Sequence, residues 1–124
     1  MGKVQLLLLD DHTLFRAMLG RLLETESEFR VVAHCGTSHE ALEALRRHTV
    51  DLVLLDLTLP EMSGQQVFRE LRRIQPNLKV ILTTAYGRDM ALTSLGGLQP
   101  WLFLRKPYRF DELLKLFQDL SLPT

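Results

Sequence analysis

A doubly wound α/β domain, with a five-stranded parallel sheet and helices on both faces, is the fold class this sequence predicts. Three observations predict it. Five short apolar runs lack the polar/apolar alternation of half-exposed strands, as expected of strands covered on both sides. Helical patterns, with apolar residues three and four apart, lie between and after these runs. The two kinds of segment alternate along the whole chain. Right-handed crossovers then give parallel strands with helices on both faces.

The elements follow in order. Val4–Leu9 is the first strand; its run is short, ends in Asp10-Asp11 and has no small-residue cleavage site after it, so it is not a secretory leader. His12–Glu24 is a helix carrying Leu14, Phe15, Met18, Leu19 and Leu22. Phe29–Ala33 is the second strand, with Cys35 a small residue closing it. Ser38–His48 is a helix with Ala41, Leu42 and Leu45, opened by the capping-box pattern Thr37-x-x-Glu40. Leu52–Leu55 is the third strand. Gln65–Gln75 is a helix with Val67, Phe68, Leu71 and Ile74, stopped by Pro76. Val80–Leu82 is the fourth strand. Asp89–Leu98 is the least regular helix, because Gly96-Gly97 lowers its propensity. Trp101–Leu104 is the fifth strand. Arg109–Leu120 is the last helix, with Asp111 and Glu112 in a first turn that favours acidic groups.

Composition bounds the function. At 124 residues, with 46% apolar and 24% charged residues, the chain is one ordered domain spanning 1–124. Fifteen basic and fifteen acidic residues cancel, so direct nucleic-acid binding is not expected. Cys35 is the only cysteine, which excludes an internal disulfide. No apolar run is long enough to span a bilayer. The expected location is cytoplasmic, away from membranes.

In doubly wound sheets the ligand crevice lies at the carboxyl ends of the strands, where the winding reverses. The first strand ends in Asp10-Asp11, the third in Asp56, the fourth in Thr83-Thr84 and the fifth in Arg105-Lys106-Pro107. Three carboxylates, a hydroxyl and an ammonium would share one small site. Two like charges about 4 Å apart repel by roughly 4 kcal/mol near a protein surface. A cation relieves the deficit, and oxygen ligands favour a hard one such as Mg2+. Such a site can handle phosphoryl groups: metal and lysine neutralise the equatorial oxygens, and a carboxylate can act as nucleophile.

These residues, together with Asp-Leu-Thr-Leu-Pro-Glu-Met-Ser-Gly from Asp56, Thr84-Ala85 and Lys106-Pro107, make the sequence resemble a receiver domain of two-component response regulators over essentially its whole length. Each element alone is common; the ordered set is specific. The resemblance implies the flavodoxin-like receiver fold and a phosphorelay switch rather than an enzyme with a separate substrate. Asp56 would accept a phosphoryl group from a phosphohistidine. Asp10, Asp11, Asp56 and the backbone carbonyl of Thr58 would hold Mg2+. Lys106 would pair with a phosphoryl oxygen, Thr84 would swing to bond it, and Phe103 would turn inward as Thr84 moves. Pro107 would follow a cis peptide bond, and Ala85 would support the site. Apart from the resemblance, Tyr86 lies two residues past Thr84, and its bulky ring would screen the aspartyl phosphate from water. The implied partner is a histidine kinase or histidine phosphotransfer protein. The surface of the fourth and fifth helices and fifth strand would control an output domain, a partner or a homodimer.

Structural readings stand beside these roles. A strand-end Asp is often a helix cap, a lone Thr a structural hydroxyl, a lone Lys a solvated one. Phe103 lies in an apolar run and could be static core. His12 reads as a helix-start residue near the pocket, and Pro60 and Met62 as loop-shaping. The pattern departs from receivers at Gly96-Gly97-Leu98-Gln99-Pro100 and at Arg109, which replaces a Ser or Thr cap. Asp-Asp-His-x-Leu-Phe-Arg resembles regulators with a helix-turn-helix output, whereas Lys-Pro-Tyr-x-Phe-Asp-Glu-Leu resembles hybrid-kinase receivers. The chain could stand alone or be cut from a longer response regulator or hybrid histidine kinase. A non-phosphorylated interaction module is the alternative function. An aspartyl phosphatase is disfavoured because Thr58 stands where a second acid is needed, and a flavin site because no phosphate-cradling loop follows the first strand.

Overall fold

Leu6 and Leu8 pack to one side of the sheet and Leu7 and Leu9 to the other, so an unbroken leucine run serves two cores at once. The computed structural model describes residues 3–56, 64–84 and 102–119. Its strands are β1 (Val4–Leu9), β2 (Phe29–Cys35), β3 (Leu52–Asp56), β4 (Lys79–Thr84) and β5 (Leu102–Arg105). They pair in parallel in the order β2-β1-β3-β4-β5. The described helices are α1 (Thr13–Glu24), α2 (Ser38–Arg47), α3 (Gly64–Ile74) and the C-terminal helix α4 (Phe110–Asp119).

One core joins Leu6, Leu8, Leu52, Leu54 and Ile81 to Leu19 and Leu23 of α1 and to Leu113 and Phe117 of α4. Phe29 and Phe117 rings meet within it, their centroids 5.0 Å apart. The opposite core joins Leu7, Leu9, Val53, Leu55, Val80 and Leu82 to Ala41 and Leu45 of α2 and to Val67, Phe68 and Leu71 of α3. The chain is thus doubly wound, as expected. It reverses direction between β1, which has β2 on one side, and β3 on the other.

Four strands run further than their apolar stretches, β5 by Arg105. β3 takes in Asp56, β4 takes in Lys79 and Thr83-Thr84, and β2 continues to Cys35. The backbone ladder does not depend on side-chain polarity, so polar strand ends stay paired: Asp56 is in register with Thr83. β2 is an edge strand, which lets the exposed His34 interrupt its apolar pattern. Cys35 is buried at its end, and burial followed by the Glu40 carboxylate pushes its thiol up to about 11, which makes it an unreactive packing group.

Helix α1 corrects one expectation. Leu19 and Leu23 form its buried row, while Leu14, Met18 and Leu22, which share the apolar pattern, stay exposed. Either row is compatible with spacings of three and four, and only packing selects between them. The capping box at α2 forms as expected: the Thr37 hydroxyl accepts from the Glu40 N–H, and Glu40 Oε1 accepts from the Thr37 N–H. At α4, the Arg109 N–H donates to Glu112 Oε1, which supplies half of a capping box where no Ser or Thr is present. The helix expected over 89–98 lies outside the described residues, as does Trp101. Among the described residues no helix is long and apolar enough to cross a membrane.

Phe68 is 1% exposed between β-sheet and α3, so Phe68→Ala should cost about 3–5 kcal/mol of unfolding free energy in urea denaturation. Thr37→Ala should cost only about 1 kcal/mol, the worth of a cap. Equal losses would contradict this division between core and surface.

Candidate functional site

Register alone assembles the site. Leu9 pairs with Leu55, which brings Asp10, one residue further, beside Asp56 at the point where the winding reverses. Thr84 pairs with Arg105, so Lys106 follows at the same edge, and its N–H donates to the Thr84 carbonyl at 2.7 Å. Strand alternation puts Asp10, Asp56 and Lys106 on the face that carries α1 and α4.

The Lys106 ammonium lies between two buried carboxylates. Its Nζ is 2.7 Å from Asp10 Oδ2 and 3.4 Å from Asp56 Oδ2. Asp56 is 1% exposed and Asp10 7%. For Asp10, burial acts to raise the carboxyl. The Lys106 hydrogen bond, the His12 backbone N–H, the Lys106 charge and the His12 ring outweigh it and hold the carboxyl below its ordinary value. The Asp10 backbone is fixed as well: its N–H donates to the Cys35 carbonyl at 3.0 Å, and the Arg16 guanidinium donates to its carbonyl.

Three site neighbours carry no signal in the linear sequence. The Phe15 ring lies under Lys106, with Nζ 5.0 Å from its centroid, and meets Tyr108 edge-on at 6.0 Å. Burial, followed by the charges of Asp10 and Asp56, raises the Tyr108 hydroxyl well above its ordinary value. Arg16 reaches the site only because α1 starts directly after the acidic pair. Phe15, Tyr108, Pro107, Lys106 and His12 line an open pocket of about 400 Å3. The Lys106–Pro107 bond is cis, as the resemblance implies.

Asp11 is exposed at the rim, and His12 Nδ1 lies 2.9, 3.3 and 3.8 Å from oxygens of Asp10, Asp11 and Asp56. One donor atom from each of Asp10, Asp11, His12 and Asp56 falls within 4.8 Å of the others, a spacing and chemistry suited to a divalent cation. Thr84 is fully buried at the end of β4. Phe103 is half-buried against the α2/α3 core, in register with Leu82. Thr58, Pro60, Met62, Ala85 and Tyr86 lie outside the described residues.

The model of the response regulator receiver domain family matches residues 6–118. The transcriptional regulatory protein GlrR of Escherichia coli is 38% identical over 117 residues, covering 92% of this chain and 25% of that protein. The chemotaxis protein CheY of Bacillus subtilis is 29% identical over 111 residues, covering 90% of this chain and 92% of that protein. The solved signal receiver domain of NarL from Mycobacterium tuberculosis superposes with a TM-score of 0.84 at 29% identity, covering 97% of each chain. The chain spans 25% of the length of the first curated relatives it matches.

The contact between Lys106 and Asp10 predicts a titration. By carboxyl-detected NMR, Asp10 should titrate below its ordinary value of 3.8, and Lys106→Met should move the midpoint upward. A depressed carboxyl contributes stability above the unfolded-state value and loses it as pH falls through the folded value. The wild type should therefore lose more stability than Lys106→Met between about pH 5 and pH 2. An unchanged Asp10 midpoint in the variant would contradict the assignment.

Proposed function

The chain belongs to the response regulator receiver domain family, and from that membership we propose that it is a phospho-accepting signalling switch with Asp56 as the acceptor. The observation that carries this reading is the Lys106 ammonium held against the buried carboxylates of Asp10 and Asp56 at 2.7 and 3.4 Å. In the proposed step an Asp56 carboxylate oxygen attacks the phosphorus of a phosphohistidine. The P–O bond forms as the P–N bond breaks, and the donor imidazole leaves with the electron pair. Lys106, already beside Asp56, faces the charge that develops on the phosphoryl oxygens. Mg2+ held by Asp10, Asp11, Asp56 and the Thr58 carbonyl would supply further positive charge to those oxygens. The steric demand is met by strands, not loops: Asp56 and Thr84 are both strand residues and buried.

The product adds negative charge at a buried strand end, and that charge biases a two-state surface. Thr84 would bond the phosphoryl group. Phe103, which shares its sheet face with Leu82 and neighbours β4, would turn inward as Thr84 moves. The responding surface is that of β5, α4 and the helix expected over 89–98. The proposed donor is a histidine kinase or histidine phosphotransfer protein, and the proposed readout is an output domain, a separate partner or a homodimer.

Incubation with Mg2+ and a small acyl phosphate should add a single hydroxylamine-sensitive phosphoryl group by intact mass. Asp56→Ala and chelation of Mg2+ should each abolish it. Labelling that survives Asp56→Ala would contradict the assignment of the acceptor.

A further inference from the structure

We propose that His12 is a ligand in the acidic pocket and that its imidazole tunes the pocket toward borderline transition ions, such as Co2+, relative to Mg2+. The inference rests on the reading of this pocket as the cation site and adds a residue that the acidic-pair pattern does not include. His12 occupies the N-cap position of α1, yet its side chain makes no cap hydrogen bond. The ring is turned instead to the carboxylates. Nδ1 is 2.9 Å from Asp10 Oδ1, 3.3 Å from Asp11 Oδ1 and 3.8 Å from Asp56 Oδ2. Adjacent ligands of a six-coordinate ion with bonds of about 2.1 Å are about 3 Å apart, so these spacings match neighbouring positions around one ion.

The backbone holds the residue in place. The His12 N–H donates to Asp10 Oδ1 at 2.9 Å, and Arg16 anchors the Asp10 carbonyl. The side chain itself is 64% exposed, so the ring can exchange its contact with Asp10 for a bond to an ion without disturbing the core. The donor chemistry gives the preference its direction. Mg2+ is a hard ion that keeps water and carboxylate oxygens and gains little from a nitrogen donor. Imidazole is a good ligand for the later divalent ions of the first transition row. His12 therefore raises affinity selectively, whereas the three carboxylates raise it for all divalent cations.

The test titrates the whole chain at pH 8 with Co2+ alone and with Mg2+ alone, following Co2+ absorption bands and calorimetric heats. The proteins are the wild type, His12→Ala and His12→Gln. Loss of a supporting residue around a metal already costs about tenfold in affinity. Co2+ binding should thus weaken at least about tenfold in His12→Ala with a shift in its bands, while Mg2+ binding barely moves. His12→Gln, which offers an oxygen in place of the nitrogen, should keep Mg2+ binding and lose the Co2+ advantage. Co2+ and Mg2+ affinities that change together, upward or downward, would overturn the proposal by showing that the ring only blocks or only props the site. A wild type that binds neither ion would overturn it as well. Phosphoryl labelling of Asp56 with an unchanged Co2+/Mg2+ ratio in His12→Ala would sink this inference and leave the switch standing. An intact His12 effect with no labelling would sink the switch alone.

Discussion

One ammonium between two buried carboxylates is the constraint on which the rest of the site depends. Asp10 and Asp56 are nearly sealed from water, and like charges at such a separation are costly. Lys106 makes the pair tolerable and leaves the total charge of Asp10, Asp11 and Asp56 incompletely balanced. That residual deficit suits the pocket to a cation and, in the proposed reaction, to the positive surroundings that a phosphoryl group requires. The His12 ring rests against all three carboxylates.

The fold delivers this arrangement through strand order. A sheet ordered β2-β1-β3-β4-β5 places the ends of β1 and β3 side by side and lets β4 and β5 close in from the same flank. The leucine-rich strands between the two cores keep those ends from shifting, since each side chain is packed on one face or the other. Precision at the site is therefore borrowed from the core: Asp56 and Thr84 sit on strands, and Asp10 is tied to β2 and α1 through its backbone.

Much of this was legible in the sequence, for identifiable reasons. The unalternating apolar runs declared a doubly covered parallel sheet, and from that class alone the strand-end positions of Asp10, Asp11, Asp56 and Lys106 could be expected to converge. Polar strand ends were harder, because Thr83, Thr84 and Asp56 break the apolar pattern while remaining in the ladder. The buried row of α1 was not legible: Leu14, Met18 and Leu22 are as apolar as Leu19 and Leu23, and tertiary packing decided between them. Phe15, Arg16 and Tyr108 were invisible as site neighbours because their proximity to Asp10 and Lys106 arises only from how α1 and the segment after β5 lie on the sheet. The ring of His12, expected to mark a helix start, turns out to face the carboxylates.

The most direct measurement is a crystal structure of the chain treated with beryllium fluoride and Mg2+. Beryllium should be bonded to an Asp56 carboxylate oxygen, with the Lys106 ammonium against a fluoride and Asp10 and Asp11 turned toward the magnesium. An unmodified Asp56, or a fluoride group attached elsewhere with Lys106 pointing away, would contradict this arrangement.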